Sequence, residues 1–510
     1  MPDWNDGYVS DINYTHGYYD DLNPQRLPLL LLSQGWQPPA QLHHACELGF
    51  GQGLGVNIHA AAGTARWWGT DFNAAQAGFA QSLAAGGSGA LLGDESFAEF
   101  CARTDLPDFD FIGLHGIWSW ISDDNRATIV DFVRRKLRVG GVLYLSYNCM
   151  PGWAAFAPLQ HLMARHGDVM GVPGAGSVAR VQGALDFVGR LMELKPAYAQ
   201  ANPLMARRLQ GLRDKNPAYL AHEYFNRNWS PMHFADVHRL LEPAKLQFAA
   251  SSLYLDALDV FHLSPQHSAF LAEIPDLALR QSVRDFLVNQ QFRREYWIKG
   301  GRRIDRLQQA EALRAQRVVL VTQRDQVSLQ AKGARGDMAL KPEIYDPLLD
   351  LMADRQPRTL GQIEQALHAR GNFQQWLQAV LVLVGCGHMA PAQDEAAVAA
   401  ARQRTEPFNR HLMHLARGNG DTGYLASPLT GGGVGVGRFQ QLFLLARSQG
   451  VQSPQEWARF VSQVLRAQGQ RIVKEGQTLE APEAELAELT RQAQTLAGHL
   501  PMLQALQVVS

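Results

Sequence analysis

The chain has 510 residues, 46% hydrophobic and 19% charged, with a formal net charge of −1. Such a length predicts about two to four domains rather than one core, and the near-zero charge excludes a global electrostatic pull on nucleic acid or anionic membrane. The four cysteines, Cys46, Cys101, Cys149 and Cys386, are far apart, which predicts reduced thiols and no metal site. The N-terminus lacks the basic and apolar regions of a secretory signal, and the apolar runs at 27–32 and 379–384 are too short to span a bilayer. A cytoplasmic protein with no membrane span is expected.

In chain order, residues 1–40 are rich in aromatic and acidic groups, among them Tyr8, Tyr14, His16, Tyr18 and Tyr19. A helix is expected over 27–32, ending near Gly35 and Pro38-Pro39. The segment reads either as a helix packed on a sheet with tyrosines at its rim, or as a flap over a ligand, lined by Tyr14 and Tyr18. From 41 to 148, strands alternate with helices, the pattern of a parallel sheet covered on both faces. Strands are expected at 42–48, 65–70, 90–92, 109–114 and 142–147. A helix before the fifth has Ser122 as its cap, acids at 123–124, bases at 134–138 and Gly140-Gly141 as its stop.

The first strand runs into Glu47-Leu48-Gly49-Phe50-Gly51-Gln52-Gly53 and then a helical stretch. Glycines let backbone approach a ligand closely, and the helix start offers free N–H groups. The spacing is not that of a dinucleotide fingerprint. An acid at the strand end followed by Leu-Gly-x-Gly-x-Gly resembles the first motif of class I S-adenosylmethionine-dependent methyltransferases. Asp71, 24 positions after Glu47, can accept both hydroxyls of a ribose. Asp94, beside Glu95 and Ser96, lies where an adenine amino group would be met. Singly, each carboxylate reads as a solvated loop residue or a helix cap. Together, at successive strand ends where open α/β sheets bind ligands, they favour a methyltransferase. Tyr14, Glu47, Gly49, Gly51, Gly53, Asp71, Phe72, Asp94, Glu95, Ser96 and His115 form the expected cofactor set.

The runs Phe109–Trp120, Ser146–Trp153, His222–Asn226, Trp229-Ser230-Pro231 and Tyr424–Pro428 resemble bacterial methyltransferases that carry a methyltransferase regulatory domain. Rickettsial protein-lysine methyltransferases that modify outer-membrane proteins belong to that group. The resemblance implies S-adenosylmethionine as cofactor, a macromolecular acceptor and a homodimer. The expected fold is α/β: a Rossmann-like, seven-stranded class I methyltransferase sheet with a helical insertion and mostly helical C-terminal domains, including a winged-helix-like unit.

The expected division is a cofactor-binding domain at 1–151 and 230–264, a helical insertion for capping or dimerisation at 152–229, and a helical regulatory domain at 265–340. A winged-helix-like unit at 341–395 and a helical domain at 396–510 follow. Strands six and seven are expected at 246–250 and 258–263. The basic stretch Arg293, Arg294, Lys299, Arg302, Arg303 and Arg306 reads as a solvated face, or as a surface for an acidic protein or glycan. The winged-helix-like unit has Glu364 and no basic cluster, so no nucleic-acid partner is expected. The loops 171–177 and 431–437 lack the lysine of a phosphate loop and read as plain loops.

His115, just past the fourth strand, is the candidate catalytic residue, with a structural histidine as its bland alternative. Tyr18, Trp118, Trp120, Tyr147 and Asn148 are the candidate acceptor wall, because aromatic faces suit a lysine stem and its cationic head. Core packing is the competing reading for the tryptophans. Methyl transfer to protein lysine competes with O- or N-methylation of a surface glycan or small molecule, and with a catalytically silent scaffold.

Overall fold

The computed structural model describes residues 7–9, 11–12, 16–171, 174 and 176–509. Its centre is a seven-stranded sheet in the order β3-β2-β1-β4-β5-β7-β6. The strands are β1 His44–Leu48, β2 Arg66–Thr70, β3 Leu91–Gly93, β4 Phe109–Leu114, β5 Leu137–Asn148, β6 Leu246–Ser251 and β7 Phe292–Lys299. The first five are parallel; β7 runs antiparallel to both β5 and β6. The order turns outward on either side of β1 and β4, so the C-terminal ends of these two strands open the crevice where such sheets bind ligands.

Period-two alternation divides the side chains between two faces. Phe111, Tyr144 and Tyr296 pack on one face with α1 (Leu27–Ser33), whose Leu29 to Leu32 are all buried. Ile112, Leu145, Tyr147 and Trp297 pack on the other with α5 (Asp123–Lys136) and α11 (Phe234–Leu241). Ser122 caps α5, its side chain accepting from the N–H of Asn125. The helix ends at Lys136, ahead of the expected glycine stop, and Gly140 lies inside β5 with φ 83°. Left-handed backbone there accompanies the register shift between Phe109 and Phe111 opposite.

Two expectations for the end of the sheet are corrected. Residues 258–263 form no strand; Asp259–Phe261 is a single 3-10 turn. The seventh strand is Phe292–Lys299, from the stretch that reads as a solvated basic face. Arg293 is buried there. Its Nε donates to both carboxylate oxygens of Asp285 at 2.9 and 3.0 Å, its Nη1 to Glu295, and its guanidinium lies 4.6 Å from the ring centre of Phe234. An isolated buried charge is costly, and this paired arrangement offsets that cost. The sheet therefore reaches residue 299, into the stretch where a regulatory domain is expected.

Between β5 and β6, helices α6 (Ala157–Met170), α7 (Gly176–Glu193), α8 (Ala197–Ala201), α9 (Pro203–Leu212) and α10 (Pro217–Tyr224) make a cap with its own core around Phe156, Met163, Val188 and Leu220. After β6 come α12 (Pro265–Ala272) and α13 (Leu277–Val288). Farther on, Pro342–Leu351, Leu360–Ala366 and Phe373–Gly385 are helices beside a small sheet of Arg317–Leu320, Arg358–Thr359 and Met389–Pro391. The third of these helices is buried from Ala379 to Val384, so its apolar face serves the core.

The C-terminal half is keyed to α2 (Leu54–Ala62), the helix after the glycine turn. The last carbonyls of any helix lack internal partners. Here Gln393 Nε2 donates to the carbonyl of Ala62 at 2.8 Å, Thr405 Oγ1 to Ala61 at 2.9 Å and Arg404 Nε to Ala60 at 3.1 Å. Arg404 Nη2 adds a bond to the carbonyl of Gly63. A cation at this end also complements the helix dipole.

Candidate active site

A cavity of about 590 Å³ opens at the C-terminal ends of β1, β2 and β4, beneath the cap. Such a volume suits a small-molecule ligand. The turn from β1 to α2 forms its floor. Gly49, Gly51 and Gly53 have φ of 71°, 59° and 70°, the left-handed region that favours glycine. A Cβ on Gly49 would stand 2.0 Å from Ile117 Cδ1, and one on Gly53 2.3 Å from Ala80 Cβ. Gly49 and Gly51 line the cavity; Gly53 supports the turn as the residue preceding α2.

Two carboxyls meet at this floor. Asp71 Oδ2 accepts from the N–H of Gly51 at 2.8 Å and Oδ1 from that of Asn73 at 3.1 Å. Burial raises its pKa to about 7, against the opposing pull of those two N–H groups. Burial, then the nearby Asp71, raises Glu47 to about 8. Glu47 Oε2, Gln76 Nε2 and Asn148 Nδ2 are buried without a hydrogen-bond partner, and all three residues line the cavity. Buried polar atoms are normally paired, so three orphans in one wall mark a place shaped for a polar ligand.

Phe72 lines the same half and meets Tyr8 edge-on, ring centres 5.7 Å apart. Ser96 is in the wall and also caps α4 (Phe97–Ala102), its Oγ accepting from the N–H of Glu99 at 3.3 Å. Asp94 is exposed and outside the wall. Glu95 is also outside it, its Oε1 accepting from Arg103 Nη1 at 2.9 Å. Tyr14 lies outside the described residues.

His115 lines the cavity where β4 ends. Its Nδ1 lies 2.7 Å from the Tyr144 hydroxyl and its ring stacks on Tyr19. Desolvation, then the charge of Arg294, lowers its pKa to about 3, so the imidazole is neutral at physiological pH.

The expected aromatic wall is brought together only in part. Trp120 and Asn148 line the cavity, and the Trp120 indole N–H donates to the carbonyl of Glu223 at 3.2 Å. Trp118 and Tyr147 are fully buried in the core below. Alternation along β5 sends Tyr147 to the face opposite Tyr144, where its hydroxyl points at Glu295 Oε1, 3.4 Å away. Tyr18 is turned away from the cavity. Its hydroxyl accepts from the N–H of Gly433 at 2.7 Å, and its ring lies between His59 and Tyr424. Tyr8 and Tyr19 take the inward positions of the N-terminal segment.

Several wall residues escape a reading of the sequence. Arg208, Tyr219, His222, Glu223 and Tyr224 come from the cap, and Phe292 and Arg294 from β7. Arg208 lies 3.5 Å above the ring centre of Trp153, also in the wall. The His222-Glu223-Tyr224 run is a usable signal, since it carries part of the family resemblance. Nothing local marks Arg208. Among the described residues no group of three or more His, Cys, Asp or Glu could hold a metal, and no helix is long and apolar enough to cross a membrane.

Comparison with known proteins adds four findings. Residues 216–299, from α10 to the end of β7, match the family described as "Predicted methyltransferase regulatory domain". The uncharacterized protein sll1526 of Synechocystis is 37% identical over 507 residues, covering 98% of both chains. Protein RP789 of Rickettsia prowazekii is 27% identical over 202 residues, 38% of this chain and 35% of that one. Among solved structures, PKMT2 from Rickettsia typhi in complex with AdoHcy superposes with a TM-score of 0.69 at 16% identity, covering 96% of this chain and 99% of its own.

Proposed function

Since the chain belongs to the class I S-adenosylmethionine-dependent methyltransferases that carry a methyltransferase regulatory domain, we propose that it transfers the methyl group to lysine side chains of a protein. One observation carries this reading: the cavity has two chemically distinct halves. The half over the glycine turn offers Glu47, Asp71 and Gln76, which suit the ammonium and ribose of the cofactor. The half under the cap offers Tyr19, Trp120, Trp153, Tyr219 and Phe292 beside Glu223, a setting for an apolar stem with a basic head. AdoHcy, the ligand of the rickettsial PKMT2 complex, is the demethylated cofactor, and it supports the assignment of the first half.

The cofactor supplies an electrophilic methyl. The protein's work is to align the amine in line behind it, exclude water and favour the neutral amine. A lysine amine has an ordinary pKa near 10.4; removal of water on entry disfavours its charged form. Bound S-adenosylmethionine would supply a sulfonium methyl to the amine lone pair, the departing thioether keeping the electrons of its broken bond to carbon. The nitrogen would then carry the positive charge and give up its proton to water as the product leaves. Neutral His115, held by Tyr144 and stacked on Tyr19, is assigned as a wall of the transfer site. With a pKa of about 3 it is too weak a base to accept the ammonium proton.

The test is incubation of purified protein with methyl-labelled cofactor and unfolded bacterial envelope proteins, with and without chemical blocking of lysine. Label that vanishes on blocking supports the reading. Label that persists, or that enters only glycan, contradicts it.

A further inference from the structure

A second cavity, of about 360 Å³, lies at the β6–β7 edge of the sheet beneath α12 and α13. Arg280 and Arg284, one turn apart on α13, both line it. Their hydrogen bonds run to backbone carbonyls: Arg280 Nη1 to Ile274 at 3.2 Å and Arg284 Nη2 to Asp256 at 3.2 Å. Among the described residues neither forms an ion pair.

The other charges of the wall, Asp259 apart, have partners of their own. Asp256 accepts from Ser251 Oγ at 2.8 Å and lies 3.2 Å from His262 Nε2. Glu295 is held by Arg293 and by the Trp297 indole N–H at 3.1 Å. Arg293 is bound to Asp285 and Glu295, and Arg294 to Asp21 at 2.8 Å. Asp259 sits exposed at the rim. Among the described residues no carboxylate of this wall lies within ion-pair distance of either guanidinium, and Ser268 and Gln281 add further donors.

We propose that this cavity binds a small oxyanion carrying two or more negative charges. A guanidinium meets carboxylate and phosphate alike through parallel N–H bonds, so that chemistry is common to polyphosphates and polycarboxylates. Apart from Gln34, its wall lies within residues matched by the regulatory-domain family, and the site is separate from the first cavity. Arg294 alone of the arginines named here lines both.

The experiment is calorimetric titration of the full chain, saturated with S-adenosylhomocysteine so that the first cavity is closed to the probes. Inorganic pyrophosphate and citrate are titrated separately. One site per chain is expected, with affinity weakened roughly tenfold or more in the double variant Arg280→Gln/Arg284→Gln. The variant should keep wild-type affinity for S-adenosylhomocysteine, which reports an intact fold and leaves the methyltransferase reading separately testable. Tighter pyrophosphate assigns a phosphate ligand, and tighter citrate a carboxylate. Binding of neither probe, or equal binding by variant and wild type, overturns the proposal.

Discussion

Tyr19 lies almost flat on His115, their ring centres 3.7 Å apart and their planes 26° from parallel. The pair joins the N-terminal segment to the end of β4 at the cavity wall. His115→Ala should lower kcat and leave S-adenosylhomocysteine affinity within a few-fold of wild type. Because the imidazole is already neutral, the wild-type rate should show no step of its own near pH 6.5. A kcat unchanged in the variant would limit His115 to a structural role.

The raised carboxyls give cofactor binding a pH dependence. Glu47 and Asp71 titrate near 8 and 7 in the free protein. A cationic cofactor favours their charged forms, so affinity should rise from pH 6 to 8 and binding should release protons. Calorimetry in buffers of different ionisation heat measures that release. Asp71→Asn should reduce it, and loss of the charge-assisted bonds should cost roughly 1.5–3 kcal/mol each.

The same groups make stability depend on pH. Glu47 and Asp71 have folded values above their ordinary 4.5 and 3.8, so the folded state holds more protons and gains stability as pH falls through 8 and 7. His115 has a folded value below its ordinary 6.5. The unfolded state therefore takes up its proton first, and stability is lost as pH falls below 6.5. Between pH 6.5 and 4.5 the loss at His115 offsets only one of the two carboxyl gains, so the ligand-free melting temperature should rise steeply from pH 8 to 6.5 and more shallowly below, and Glu47→Gln should flatten the alkaline limb.

Trp118 and Trp120 separate core from site. Trp118 is wholly buried outside the cavity, so Trp118→Ala should cost about 3–5 kcal/mol of stability in denaturant unfolding. Trp120→Ala should act chiefly on KM for the protein acceptor. Equal acceptor KM in the Trp120 variant and wild type would remove Trp120 from the acceptor wall.

Much of the architecture is readable in the chain. The first five strands, the glycine turn and the pairing of Glu47 with Asp71 follow from local pattern, because a parallel strand buried on both faces is a short apolar run ending at its ligand. The last strand is not readable. Arg293, Arg294 and Glu295 break the apolar pattern of β7, and Asp285, Asp21 and Phe234, which partner the two arginines, are brought in by tertiary folding. The wall under the cap is hidden for a related reason. Arg208 and Trp153 are 55 residues apart and meet only when the cap folds. Tyr18 and Tyr19 are neighbours in the chain, yet one docks on the C-terminal half and the other lines the cavity.

The most direct measurement of the central claim is amino-acid analysis of an acceptor protein labelled by the purified enzyme and then fully hydrolysed in acid. The label should elute with methylated lysines, and Asp71→Ala should abolish it under the same conditions. Label recovered in a methylated sugar, in a base-labile ester or in another amino acid would contradict it.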